Sequence, residues 1–322
     1  MILIMSKPFP RKEIYVYTIE SPLGSEKVTA VYDKGKLKFS NYFEGYAQGR
    51  WDAENKGWTS SIIPSVVEID ITPSKMTLHC AITNYHKLLG MVKHAYEIGI
   101  IDDKNIVHGL SIETVPFFAD GTVIFERRKS GATQHAVGFY DFPTASQNAQ
   151  MYLGKAEEKF PGLVKDMFDM TGFPKFHIAR AFDLNPNDVA NTDYVGFSRG
   201  FEVSMDTQIN GFVGLAIESK EVMNGEKAES RLVYKKDRLL DVLDSIGTPS
   251  LQLDEYGHVP QPASQTNTFA IVDDCLGTIL STLYHTQGKR SYYDALEILK
   301  KKGYTINEVI PINNKVILNE LI

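Results

Sequence analysis

Two cysteines in 322 residues, Cys80 and Cys275, exclude a disulfide framework and a cysteine-rich zinc site, and they fit a reducing compartment. The eight histidines are scattered and form no H-x3-H pair; the nearest to a cluster, His79, His86 and His94, read as ordinary surface or half-buried residues. No apolar run approaches the roughly 20 residues needed to cross a bilayer. Met1-Ile2-Leu3-Ile4-Met5 is too short for a signal-peptide core. The expectation is a cytoplasmic chain with no membrane partner. The net charge of −6 argues against a nonspecific nucleic-acid binder, although Arg127-Arg128-Lys129 suits a local basic pocket. No repeat or low-complexity tract is visible. Hydrophobic residues at 43% and charged residues at 23% describe an ordinary globular chain with a real core.

Three parts are expected. Residues 1–82 are rich in β-formers, as in Glu13–Thr18 and Val66–Thr72, with a turn at Asp33-Lys34-Gly35-Lys36. Residues 83–235 form a core that opens with a helix carrying Leu88, Leu89, Val92, Ala95 and Tyr96 and ending at Gly99. Residues 236–322 are a helical extension. In it, Leu239, Leu240, Val242 and Leu243 suit one helix, and Phe269 to Leu283 give an amphipathic helix with Asp273-Asp274 on its polar side. Another helix runs from Tyr292 to Lys302. Residues 247–268 read as a long loop, and Cys275 as a small buried hydrophobe.

The chemistry concentrates in Phe160–Phe173. Pro161 suits the first turn of a helix. Leu163, Val164, Met167, Phe168 and Met170 recur at helical spacing, and Gly172 is placed to stop the helix in a left-handed conformation. Asp166 and Asp169, three apart, would then share a helix face and could share a hard cation such as Mg²⁺. The alternative at the same residues is a solvated acidic face beside Lys165.

This stretch resembles the box of the Nudix hydrolases, R-E-U-x-E-E-x-G-U with U a bulky aliphatic residue. Lys165, Asp166, Met167, Phe168, Asp169, Met170, Thr171, Gly172 and Phe173 fall in that register. Glu157 falls on the first glutamate of the longer pattern, whose opening glycine is Met151 here. Asp120-Gly121 leading into Gly121–Arg128, and Gly138-Phe139-Tyr140-Asp141-Phe142-Pro143, are similar to the family's flanking strands; Thr144 and Ala145 replace the two glycines that usually follow the proline. The resemblance covers roughly residues 108–220 and implies an α/β fold. That fold is a Nudix-type αβα sandwich with a mixed sheet, preceded by the β-rich region and followed by C-terminal helices. A looser likeness is to larger Nudix enzymes acting on nucleotide sugars.

The family's acids hold metal ions that neutralise a pyrophosphate and activate water. By resemblance, Asp166, Asp169 and Glu157 would hold Mg²⁺ or Mn²⁺ and act catalytically. Arg127 and Arg128 would meet phosphate oxygens, and Phe139 and Tyr140 a nucleobase, although aromatic residues also simply pack cores. A later acid, Glu202 or Glu218, is a further candidate. The departures have chemical consequences. Asp is one methylene shorter than Glu, Met170 offers a soft thioether, and Lys165 lacks arginine's planar fork. The expected function is therefore binding, with at most slow hydrolysis, of a nucleoside diphosphate linked to another group. Two alternatives stay open: a catalytically silent Nudix domain that binds a nucleotide or a protein, and an unrelated α/β protein.

Overall fold

Alternating and continuous apolar runs build thirteen strands and seven α-helices among the described residues of a computed structural model, which covers 10–54, 60–99, 106–128, 139–201, 207–223, 230–247 and 269–321. The strands form three sheets. The largest has six strands in the order β12 (Thr305–Glu308), β1 (Glu13–Gly24), β9 (Asp193–Gly200), β10 (Thr207–Gly214), β5 (Leu110–Phe117) and β8 (Ser146–Gln147). It is mixed: β5 runs parallel to β10 and β1 parallel to β12, while β9 is antiparallel to both of its neighbours. Strands from each of the three expected parts thus share one sheet.

A second sheet of four strands runs β13 (Lys315–Ile317), β3 (Ile62–Thr72), β4 (Lys75–Asn84), β2 (Val28–Lys36). The third, antiparallel, is β11 (Arg231–Lys235), β6 (Thr122–Arg127), β7 (Tyr140–Asp141). The expected turn at Asp33–Lys36 is instead the end of β2, with an irregular register and a left-handed Gly35 at φ 69°.

Both faces of the six-stranded sheet are covered, which explains why β5 is buried along its whole length. One face packs against the four-stranded sheet, bringing Leu110, Ile112, Phe197 and Ile209 against Val66, Ile69, Leu78 and Cys80. The other carries α6 (Asp273–Gln287), flanked by α5 (Leu239–Asp244) and α7 (Lys289–Lys301). Two glycines allow the close seating of α6. A methyl group on Gly277 would meet Ser198 Cβ at 2.2 Å, and one on Gly200 would meet Asp273 Oδ2 at 2.0 Å.

The helices α1 (Asn41–Glu54) and α2 (Tyr85–Ile98) pack in a smaller core around Phe43, Met91 and Val92, which Ile63, Val107 and Phe201 complete. The helix α2 ends at left-handed Gly99, as its sequence indicates. The three-stranded sheet is tied to the end of α4 (Gly172–Phe182) by Arg231, whose side chain is 1% exposed. Its guanidinium donates to Glu126 Oε2 at 2.8 Å, Val222 O at 2.8 Å and Ala181 O at 3.1 Å. A buried cation held this way is satisfied by one charge and two carbonyls.

His177 on α4 sits among Phe173, Phe176 and Tyr152, and among the described residues neither ring nitrogen has a hydrogen-bond partner. Burial, then the nearby Arg180 guanidinium, holds its imidazole well below the ordinary histidine value. The unfolded chain therefore binds a proton there below about pH 6.5 that the folded chain refuses, and stability falls as pH falls through that region.

Two outcomes check this packing. Gly277→Ala should lower the denaturation free energy by about 1–3 kcal/mol, because the clash with Ser198 outweighs a helix-propensity gain of roughly 1 kcal/mol; an unchanged denaturant midpoint would contradict the close seating. His177→Phe should reduce the loss of thermal stability between pH 7 and pH 5. The fully buried His108, also held low by burial and by Arg199, keeps part of it. An unaltered pH profile would show that His177 is not the group responsible.

Candidate functional site

The segment that resembles the Nudix box is not a helix. α3 spans Gln150–Lys159 and ends before Pro161; α4 begins at Gly172, the residue expected to terminate a helix. Between them Pro161–Thr171 is a series of turns, with Gly162 left-handed at φ 72°. The physical reason is local. Pro161-Gly162 is turn chemistry, and Pro174 falls in the first turn of the helix that does form, the position proline tolerates best. The apolar residues of the segment still find a core: Met170 is buried, and Leu163, Val164, Met167 and Phe168 pack partly against the same cluster.

The acids of the motif are engaged by this loop. Asp166 Oδ1 accepts Phe168 N–H at 2.8 Å. Asp169 Oδ2 accepts Lys165 N–H at 3.0 Å, while its Oδ1 accepts Thr171 N–H at 2.9 Å and Gly172 N–H at 2.8 Å. Asp169 thereby supplies acceptors for amides at the start of α4, the service an N-cap side chain ordinarily gives. Glu157 Oε2 accepts Gly162 N–H at 3.0 Å across the end of α3. Tyr194 Oη donates to Met170 O at 2.6 Å and Asn148 Nδ2 to Met167 O at 3.1 Å, fixing the loop from below. Phe168 stacks on Tyr32 at 6.1 Å between ring centroids. Gly172 is required by crowding, since a methyl group there would meet Leu163 O at 2.3 Å.

The loop and the start of β2 enclose an open cleft of about 240 Å³. Ser25, Glu26 and Thr29 line one side, and Lys165, Asp166, Asp169 and Thr171 the other, with Phe168 and Met170 between. Arg127 and Arg128 do not line it. They lie at the end of β6 beside β7, where Arg127 pairs in register with Tyr140 and Arg128 Nη1 stands 3.4 Å from Asp141 Oδ2. Tyr140 is buried and stacked on Phe269 at 5.1 Å, and the half-buried Phe139 packs against the same core. Asp166 and Asp169 thus border one cleft, Glu157 does not line it, and the expected basic and aromatic residues belong to another region. Phe117, Phe118, Phe142 and Tyr194 are core residues. Glu218 caps a short 3₁₀ turn and pairs with Lys220 at 2.6 Å. Glu202 and residues 248–268 lie outside the described residues.

A second polar cluster escaped the sequence. Asp273 and Asp274, expected on the polar side of α6, are fully buried against the sheet, and Gly200 N–H donates to Asp274 Oδ1 at 2.9 Å. Beside them, one oxygen each of Glu113 and Asp141 and the thiol of Cys275 lie within 4.8 Å of one another, all buried. Burial first, then the Glu113 and Asp141 charges, keeps the Cys275 thiol well above its ordinary value, and burial pushes Cys80 up to about 12. Neither cysteine is an activated nucleophile, since that requires a depressed pKa. The cluster gave only a weak signal: Glu113 sits inside the β-run Leu110–Phe117, where an isolated acid is the sole hint.

Compared with models of known protein families the chain matches none, and a comparison with curated proteins finds no match. No helix among the described residues is long and apolar enough to cross a membrane.

Asp169→Ala should cost about 1–2 kcal/mol of stability, the range for losing a capping side chain, whereas Asp169→Asn, which keeps Oδ1 as an acceptor, should cost less. Urea midpoints of the two variants check this; equal, negligible losses would mean that the loop does not rest on Asp169.

Proposed function

We propose that the chain is a binding protein on a Nudix-like framework in which metal-dependent hydrolysis has given way to recognition of a small, hydroxyl-bearing molecule of nucleoside or sugar type. The observation that carries this reading is the use of Asp166 and Asp169 as acceptors for four backbone N–H groups. A magnesium site needs carboxylate oxygens converging at roughly 2.0–2.1 Å on one ion. Moving these side chains to such a site would strip the start of α4 of its acceptors.

The cleft's chemistry suits a neutral ligand. Glu26, Asp166 and Asp169 face a single ammonium, Lys165, so a pyrophosphate without its metal would meet repulsion. Carboxylates accept hydrogen bonds from vicinal hydroxyls, and Ser25, Thr29 and Thr171 can donate and accept. The half-buried ring of Phe168 offers an apolar floor.

In the presence of Mg²⁺ or Mn²⁺, ADP-ribose, UDP-glucose and dinucleotides should yield no monophosphate above the buffer rate. Adenosine, uridine or glucose should raise the melting temperature, and Glu26→Ala, which leaves the loop's hydrogen bonds in place, should abolish that rise. Metal-dependent monophosphate release that vanishes in Asp166→Asn would instead establish a hydrolase.

A further inference from the structure

We propose that a single proton carried by Glu113 latches α6 to β5 and β7, so that the seating of α6 on the six-stranded sheet loosens as pH rises. Glu113 is 0% exposed and points from the middle of β5 into the interface with α6. A buried carboxylate needs several donors to replace water. Here Thr278 Oγ1, on α6, lies 2.7 Å from Glu113 Oε2, and Oε1 has no hydrogen-bond donor among the described residues.

A proton on Glu113 gives its carboxyl a donor for the Asp141 carboxylate of β7, an oxygen of which lies within 4.8 Å, and leaves Thr278 Oγ1 donating to Glu113 Oε2. Thr278 Oγ1 also lies 2.9 Å from Asn210 Oδ1 of β10, which accepts from Ser198 Oγ of β9 at 3.0 Å. From there the seam continues through Asn210 Nδ2 to Ser281 Oγ at 3.4 Å and from Ser281 to Thr18 Oγ1 of β1 at 3.1 Å.

The charged and titratable groups around Glu113 point the same way. Asp141 approaches from β7, and Asp274 and the Cys275 thiol from α6. Asp141 is met by Arg128 and by the Phe142 N–H at 2.8 Å, and Asp274 by the Gly200 N–H. Glu113 has no cation among its described contacts. Burial, followed by Asp141, accordingly raises its pKa well above the ordinary carboxyl value. A glutamate whose folded pKa lies above its unfolded value of about 4.3 contributes full stability at low pH and loses it progressively as pH rises towards the folded pKa.

Glu113→Gln keeps a neutral side chain that can donate and accept. Its melting temperature should match that of the native chain near pH 4 and exceed it by a margin that widens as pH rises above that. Infrared difference spectra of the native chain at pH 7 should show the carbonyl stretch of a protonated carboxylic acid, absent in Glu113→Gln. Parallel melting curves across that range, or no such band, would overturn the latch. So would a stoichiometric divalent metal in the purified chain, lost in Glu113→Gln, because an ion there would take the proton's place.

Discussion

The seating of α6 on the six-stranded sheet is the constraint on which the remaining architecture rests. It brings Leu276, Ile279, Leu280 and Leu283 into the same core as Val115, Phe125 and Phe142. It also joins β1, at one end of the chain, to strands in the middle. Each of those aliphatic side chains contributes about 1.5–3 kcal/mol on burial. That sum outweighs the roughly 1–3 kcal/mol that an imperfectly paired buried polar group costs. The polar seam through Glu113, Thr278, Asn210 and Ser281 is therefore a device of register. A helix sliding on an apolar face loses little, whereas one sliding past this seam leaves several polar groups unpaired at once.

A different economy governs Pro161–Thr171. Asp166 and Asp169, three apart, have a spacing that a helix would turn to one face, yet the backbone is a loop. A carboxylate can satisfy either a cation or a set of amide protons, and the local sequence decides between them. Pro161-Gly162 turns the chain directly after α3, and Pro174 lets a new helix start at Gly172, so four N–H groups are left facing Asp166 and Asp169. The aspartates are short enough to close such turns back on their own backbone, which is why this residue type suits the loop.

What the sequence made legible was local. The helix α2 and its Gly99 stop, the strands at Glu13 and Val66, and the helix before Gly303 follow from periodicity and capping signals over short windows. The helix α1 was missed because Gly45 and Gly49 interrupt it and no apolar stripe marks it; its packing depends on small residues, with Gly90 lying against Ala47. Pairing of β1 with β12 joins residues about 290 positions apart, and no short-range pattern encodes that register. The apolar stripe of Leu163–Met170 was real but served a loop. Asp273 and Asp274 mark a polar side of α6 by residue type, and the close approach allowed by Gly200, which buries that side, has no signature in a short window.

The loop Pro161–Thr171 depends on Asp166 and Asp169 accepting from their own backbone. Backbone chemical shifts and amide exchange across residues 161–173, recorded with and without saturating Mg²⁺, test this most directly. Turn-like shifts for Pro161–Thr171, slow exchange at Thr171 and Gly172, and no change on adding the metal are the predicted result. Continuous helical shifts from Pro161 to Phe173, or metal-induced shifts centred on Asp166 and Asp169, would contradict it.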